Sequence, residues 1–495
     1  PRHIAFKEYL KSETQRLGFD FADHGWVVVI GMGKGEERVG VVTHGDVQPI
    51  SVTWRSDRPA RARRFVPPSR YLDGVDPHPD GVRVALVTRG KAFSGGWFEG
   101  PMRQRGQRHG VRYRLPRWVD GGLLLCSDAT GAERLELHAD DGTVRTLPPL
   151  DGGRPLTVVA APAGDAVAVV DHRGWLWWVP VEGAPRCLHQ GSLAARSPSF
   201  SADGRWLAFA RETLRRGGPT QIVLARLGAP DDPADPADPP LVEVTSGHYR
   251  DQSPSFDPEG RYLYFVSYRE LDPTYDTIRF ELSFPRGSRP YLVTLQADAP
   301  DPFRPTPMPL KRPKAPKPVK TVSIDVDGIA DRVVAFPVGE SRYVGIAGTA
   351  GGRVWMLRRG VSGSSRRRML RRNPPPADHQ LVQWDFEKAE LKVVNSRISG
   401  FRTDRSRRHL AVRAGMRLRL APGAPDKAQL DELGKNDARP GRPRGTFDWA
   451  RVRLELDPPA EWRQMVDETA RLMADHHWAG ARLDDALVHC RELLH

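Results

Sequence analysis

SPSFSADGRWLAFARE (197–212) returns 56 residues later as SPSFDPEGRYLYFVSYRE (253–270). Each copy holds Ser-Pro-Ser-Phe, an acidic turn closed by Gly, an Arg next to an aromatic residue, and an alternating apolar run. Weaker copies stand at DPHPDGVRVALVTRG (76–90), RWVDGGLLLCSDATG (117–131) and AAPAGDAVAVVDHRG (160–174), with a faint one at FRTDRSRRHLAVRAG (401–415). With the turn glycine as marker, Gly81, Gly121, Gly164, Gly204 and Gly260 are separated by 40, 43, 40 and 56 residues. A period near 40 is that of a propeller or solenoid. The Gly supplies the positive φ of a tight turn, and Trp206-Leu-Ala-Phe-Ala210 reads as a strand covered on both faces. Further strands come after the copies, as at 175–179, 221–225 and 186–188. Three or four strands per repeat make a propeller blade. A β-sandwich would account for the strands but not for the repeat.

The rest of the chain is consistent with a repeat-built protein carrying additions. At 495 residues it exceeds one ordinary core, and its 47 Gly and 45 Pro imply many turns. Hydrophobic residues make up 39 %, and no apolar run reaches the roughly 18 residues of a membrane helix, so a soluble chain with no membrane partner is expected. The net charge of +14 comes largely from arginine. These arginines are scattered and form no single basic block, so a nucleic-acid partner is not expected. Cys126, Cys187 and Cys490 lie far apart, without the spacing of a disulfide framework or zinc ribbon. With no charged-then-apolar leader after Pro1, the expected location is cytoplasmic.

Two Pro-rich insertions interrupt the repeats. DDPADPADPP (231–240) cannot pair in a sheet and reads as an exposed loop; the segment 298–320 reads as an extended connector. Strand-like runs resume at 321–325, 332–336, 354–357 and 391–394. Arg366-Arg-Arg368 and Arg371-Arg372 flank a Gly/Ser turn and read as solvated. The ends depart from the pattern. Residues 4–17 read as an amphipathic helix, followed by strands at 26–30 and 39–43. From Ala460 to Leu494 the spacing is helical, with Trp462, Met465, Val466, Thr469, Leu472 and Met473 on one face.

Long irregular strings carry a resemblance to the tricorn protease family from about Ser51 to Trp478. They include RSDRPARARRFVPPSRYLDG (55–74), VTRGKAF (87–93), WFEGPMRQ (97–104), GVRYRLPRW (110–118) and the stretch 255–295. DVDGIADRVVAFPV (325–338) and RVRLELDPPAEWRQMVDETARLMADHHW (451–478) continue it. The resemblance implies the second, seven-bladed propeller of a self-compartmentalising serine peptidase, with the start of the adjoining helical domain. It also implies a homo-oligomer and a propeller that passes or filters peptides. The positions that would carry the family's catalytic residues are absent, so no catalytic residue is assigned. His476 and His477 resemble helix-surface residues, and the adjacent His489 and Cys490 point in different directions on a helix.

Residues 1–49 resemble the N-terminal part of the zinc dipeptidases related to carboxypeptidase G, through FKEYLKSETQRLGF (6–19) and GWVVVIGMGKGEERVGVVTHGDVQP (25–49). That resemblance implies His44 as a zinc ligand, with Asp46 steadying it from behind. One His beside one Asp does not complete a catalytic zinc site, so zinc is expected only if the segment were complete, and no other cofactor is expected. The Gly31-x-Gly33-x-Gly35 run lacks the spacing of a dinucleotide site and reads as a hairpin turn. A fusion join near residue 50 is expected.

The expected architecture is therefore mainly β. A dipeptidase-like fragment spans 1–49, a seven-bladed propeller 50–456 and a truncated helical segment 457–495. The expected function is a tricorn-like fragment whose propeller channels peptides without its catalytic domain. The alternative is a metallopeptidase remnant centred on His44.

Overall fold

Gly204 and Gly260 take positive φ, at 74° and 71°, and fold the two strong repeats into hairpins. Ala195–Phe200 pairs with Trp206–Glu212, and Arg250–Phe256 with Tyr262–Tyr268. The second strands are apolar at successive positions because alternate side chains feed different cores. Leu207 and Phe209 pack toward the preceding sheet, and Ala208 and Ala210 toward the next one. Leu263 and Phe265 likewise share a cluster with Ala208, while Tyr264 and Val266 enter the next.

The computed structural model describes residues 26–30, 38–43, 46–49, 59–227, 241–270, 273–276, 280–283, 286–304, 321–360, 377–436 and 439–476. The expected helix at 4–17, the 31–37 turn, the 231–240 insertion, most of 298–320 and the Arg366–Arg372 run lie outside these residues. So do His44, His477, His489 and Cys490. The chain divides into two compact units, Pro1–Ala62 and Arg63–His495. The first contains an antiparallel sheet of Trp26–Ile30, Arg38–Thr43 and Asp46–Pro49.

The second unit is a β-propeller. Four sheets have four antiparallel strands each, and their first strands are Leu72–Pro77, Tyr113–Val119, Pro155–Ala160 and Arg342–Thr349. The two strong repeats belong to one eight-stranded sheet, whose halves are joined by a parallel bridge from Thr220 to Arg250. Gly400–Thr403, His409–Ala414 and Arg417–Pro422 form a three-stranded sheet. Apolar clusters fill the spaces between successive sheets. In the last of these, Ala411 and Leu418 pack with Leu72, Val84 and Leu86 and close the ring. A short pair completes the closure: Arg64–Val66 against Leu454–Leu456.

Two expectations are corrected and one element is added. In place of seven separate blades, the described residues of the propeller give five sheets of four or more strands and one of three, because the Thr220–Arg250 bridge merges two repeats. Residues 321–325 are not a strand. The Val322 N–H donates to Asp203 Oδ2 at 2.7 Å, and the Asp325 N–H donates to the Leu295 carbonyl at 2.9 Å, so this backbone is held outside any ladder. A helix unmarked in the sequence reading, Lys427–Gly434, is started by a capping box between Asp426 and Gln429, and it buries Leu430 and Leu433 against the last two sheets.

The helix Pro458–His476 begins with proline at its first position, where no amide donor is needed. It docks by its polar face. Arg89 holds Glu461, Arg112 holds Glu468, and Asp128 accepts from Gln464 and Arg471. Met465 and Met473, on the face expected to be apolar, are exposed.

Candidate functional site

The first strand of most sheets carries a bulge. Register slips occur between Leu72 and Gly74, Pro155 and Thr157, Arg196 and Ser199, Gln252 and Ser255, and Tyr343 and Gly345. Leu115, Ser197 and Ser253, each just before a proline, sit at φ of 52°, 51° and 56°. Such values are costly for residues with a side chain, so the recurrence marks a built feature that bends each strand and re-aims its remaining side chains. After the bulges the strands surround a central cavity of about 660 Å³, whose wall includes Val75, Val159, Ser199, Ser255, Ile346 and Arg402.

One turn reaches across this space. In the faint repeat, Arg407 occupies the position of the turn glycine and keeps the left-handed conformation, at φ 56°. Its Nη1 donates to Ser255 Oγ at 2.6 Å and to the Phe256 carbonyl at 2.7 Å. Its Nη2 donates to Ser199 Oγ at 2.8 Å and to the Phe200 carbonyl at 3.4 Å. A single guanidinium thus binds the same Ser-Phe pair in both strong repeats. Arg405 of the same turn donates to the Pro162 carbonyl at 3.0 Å and to Asp120 at 3.1 Å. The Ala350 N–H donates to the Arg407 carbonyl, and a Cβ on Gly81 would overlap the His409 ring. The turn 404–408 and its neighbour His409 therefore touch strands or hairpin turns of all the other propeller blades. Burial pulls the Arg407 guanidinium down to about 10, with Asp257 and Asp404 opposing.

A second polar group lines the wall. Asp76 is buried, accepts the Trp118 N–H at 2.9 Å, and lies 4.0 Å from both Arg117 and Arg402. Burial pushes its carboxyl above the usual range and the two guanidiniums oppose that shift. Arg117 is brought down to about 9, first by burial and then by the like charge of Arg402. A further groove of about 410 Å³ runs between the helix Pro458–His476 and the first sheets. There Lys91 donates to the carbonyls of Arg108 and Glu455.

The sequence-predicted site residues lie elsewhere. Asp46 opens the strand Asp46–Pro49, and His44 lies outside the described residues. Among the described residues no group of three or more His, Cys, Asp or Glu could hold a metal. His476 ends its helix with its ring edge-on to His172. Cys126 is buried, and burial pushes its thiol far up. Arg402, Arg405 and Arg407 were missed. The one signal for them was an Arg standing where the repeat has Gly.

Fold and cavity define the class: a closed propeller with an axial cavity, followed by a helix docked on its face. Residues 72–422 match the family model described as the tricorn protease second beta propeller domain. The chain belongs to the tricorn protease family. It is 32 % identical over 432 residues to tricorn protease homolog 1 of Streptomyces coelicolor, covering 83 % of this chain and 38 % of that protein. Against the tricorn protease homolog of Saccharolobus solfataricus, identity is 29 % over 439 residues, covering 88 % and 37 %. The crystal structure of the tricorn protease superposes with a TM-score of 0.72 at 18 % identity, over 92 % of this chain and 42 % of that one. The chain thus spans less than half the length of these relatives. No helix among the described residues is long and apolar enough to cross a membrane.

Proposed function

We propose that this propeller is a non-catalytic passage that admits and filters peptide chains for a peptidase of the tricorn type. One observation carries the reading: the axial cavity is walled by the first strands of the propeller blades, and its lining offers hydroxyls, guanidiniums and three carboxylates but no imidazole among the described residues. Such a wall can hold an extended chain, and it sets no imidazole beside a hydroxyl to activate a serine. Kinship with proteins named tricorn protease homologs supports the same reading. Assembly into a homo-oligomer and a cytoplasmic location belong to the proposal.

Binding of a dye-labelled extended octapeptide, followed by fluorescence anisotropy, tests it. Ala347 lines the cavity without being fully buried, and Ala347→Trp should fill part of it. The expected result is at least a tenfold loss of affinity, about 1.4 kcal/mol, with the circular dichroism spectrum unchanged. Undiminished binding in the tryptophan variant would place the peptide elsewhere and overturn the reading.

A further inference from the structure

The charges lining the cavity do not cancel. Arg117, Arg402, Arg405, Arg407 and Arg413 stand against Asp73, Asp76 and Asp404. Asp404 is occupied by its own turn: it accepts from the N–H groups of Arg408 and His409 and from Ser406 Oγ, with His409 Nδ1 at 2.9 Å. Asp76 is shared by two guanidiniums, each at 4.0 Å. Arg413 feels Asp73, and Arg405 turns to Asp120. Arg407 has no carboxylate oxygen within 4 Å among the described residues; its partners are neutral oxygens. The wall therefore carries excess positive charge, where the surrounding protein screens it less than bulk water would.

Arg405 Nε and Arg413 Nη2 are buried without a partner, but only one of these arginines has its whole guanidinium unpaired by hydrogen bonds and open to the cavity. Arg117 donates to the Val158 and Pro116 carbonyls, Arg405 to the Pro162 carbonyl, Arg407 to its four oxygens and Arg413 to the Leu72 carbonyl. Arg402 donates no hydrogen bond from its guanidinium among the described residues. Its contact with Asp76 is beyond hydrogen-bond range, and 36 % of its side chain is exposed. It comes after Phe401 on the strand Gly400–Thr403, in the cavity wall.

We propose that Arg402 is a carboxylate-binding residue of the channel and makes it selective for peptides bearing a carboxylate, at the C-terminus or on an Asp or Glu side chain. The proposal rests on the reading of the channel as a peptide passage. A guanidinium with unused donors matches a carboxylate in a two-pronged, charge-assisted contact. The excess charge deeper in the wall draws the anion in and disfavours lysine-rich chains.

The test uses the whole chain and four octapeptides carrying an uncharged fluorophore. One is a neutral Ser/Ala peptide with an amidated end, and the second is the same peptide with a free carboxylate. The third and fourth are amidated, with two central Glu or two central Lys. Expected affinities are about tenfold tighter for at least one carboxylate-bearing probe than for the neutral amide, the size of one good charged contact, and weakest for the Lys probe. The free-end and Glu probes separate the two sources of carboxylate. Arg402→Gln should abolish the preference, bringing the carboxylate-bearing probes to the affinity the same variant shows for the neutral amide, and Arg402→Lys should restore part of it. Equal affinity for all four probes would sink this proposal and leave the passage reading standing, as would a preference that survives Arg402→Gln. Failure of every probe to bind would remove both.

Discussion

Arg89 and Glu461, 372 positions apart in the chain, meet as a two-pronged ion pair, with Nε to Oε1 at 2.6 Å and Nη2 to Oε2 at 2.9 Å. The contact ties the start of the helix Pro458–His476 to the end of the hairpin strand Arg83–Thr88. Because the helix docks through its polar face, this pair and those around Asp128 hold it in place of an apolar seam. Glu461→Gln should loosen the helix by about 1–2 kcal/mol, as expected for one partly buried charged pair. Hydrogen exchange should quicken across residues 458–476 and stay unchanged in the propeller strands. Uniform acceleration over the whole chain would show that the helix and ring unfold as one.

Arg407 combines an unfavourable backbone with four favourable donations, and two substitutions separate them. Arg407→Ala loses the hydrogen bonds and keeps a side chain at φ 56°, whereas Arg407→Gly loses the same bonds but restores the residue found in the equivalent turns. Both should lower stability in urea. The glycine variant should be the more stable by about 1 kcal/mol, the usual penalty for a side chain in the left-handed region. An alanine variant at least as stable as the glycine one would mean that the turn relaxes once the guanidinium is gone.

Glu259 gives a pH dependence with a definite sign. Its side chain is buried beside Asp257, accepts the Gly351 N–H at 2.8 Å and pairs with Arg261 at 3.0 Å. Burial, reinforced by the Asp257 charge, pushes its carboxyl up to about 7. An unfolded glutamate releases its proton near about pH 4.3. Between those values the folded state holds more protons, so this group's contribution lowers stability as pH rises and levels off above pH 7. Glu259→Gln removes that slope. Its stability relative to the parent should improve by about 1–3 kcal/mol from pH 4.5 to pH 7.5, read from urea midpoints. A constant difference across the range would contradict the raised carboxyl.

Strand positions were legible because the repeat couples a turn glycine to a run with period two. Trp206 opens its strand as expected, and Gln221 falls one residue inside the strand Thr220–Arg226. The same pattern misleads at 321–325. Alternating apolar residues there read as a strand, but the backbone is claimed by a carboxylate and a carbonyl on other segments. Separate blades were expected because sequence spacing does not report a lateral bridge such as Thr220 to Arg250. The cavity wall was not legible at all. Arg407 meets Ser255 from 152 positions away, and only closure of the ring brings them together. Asp76, Arg117 and Arg402 are likewise unremarkable within their own segments and form a group through register on three different sheets.

The pairing of Arg64–Val66 with Leu454–Leu456 has a consequence for how such a part is carried by a longer chain. Paired strands lie about 5 Å apart, so the polypeptide enters and leaves the ring at one spot, like two leads from a single socket. A host needs only two neighbouring attachment points to accept the whole ring. The seam thus does for the ring what a turn does for a hairpin: it brings the two ends of about 390 residues side by side, packed on the same apolar cluster that closes the ring.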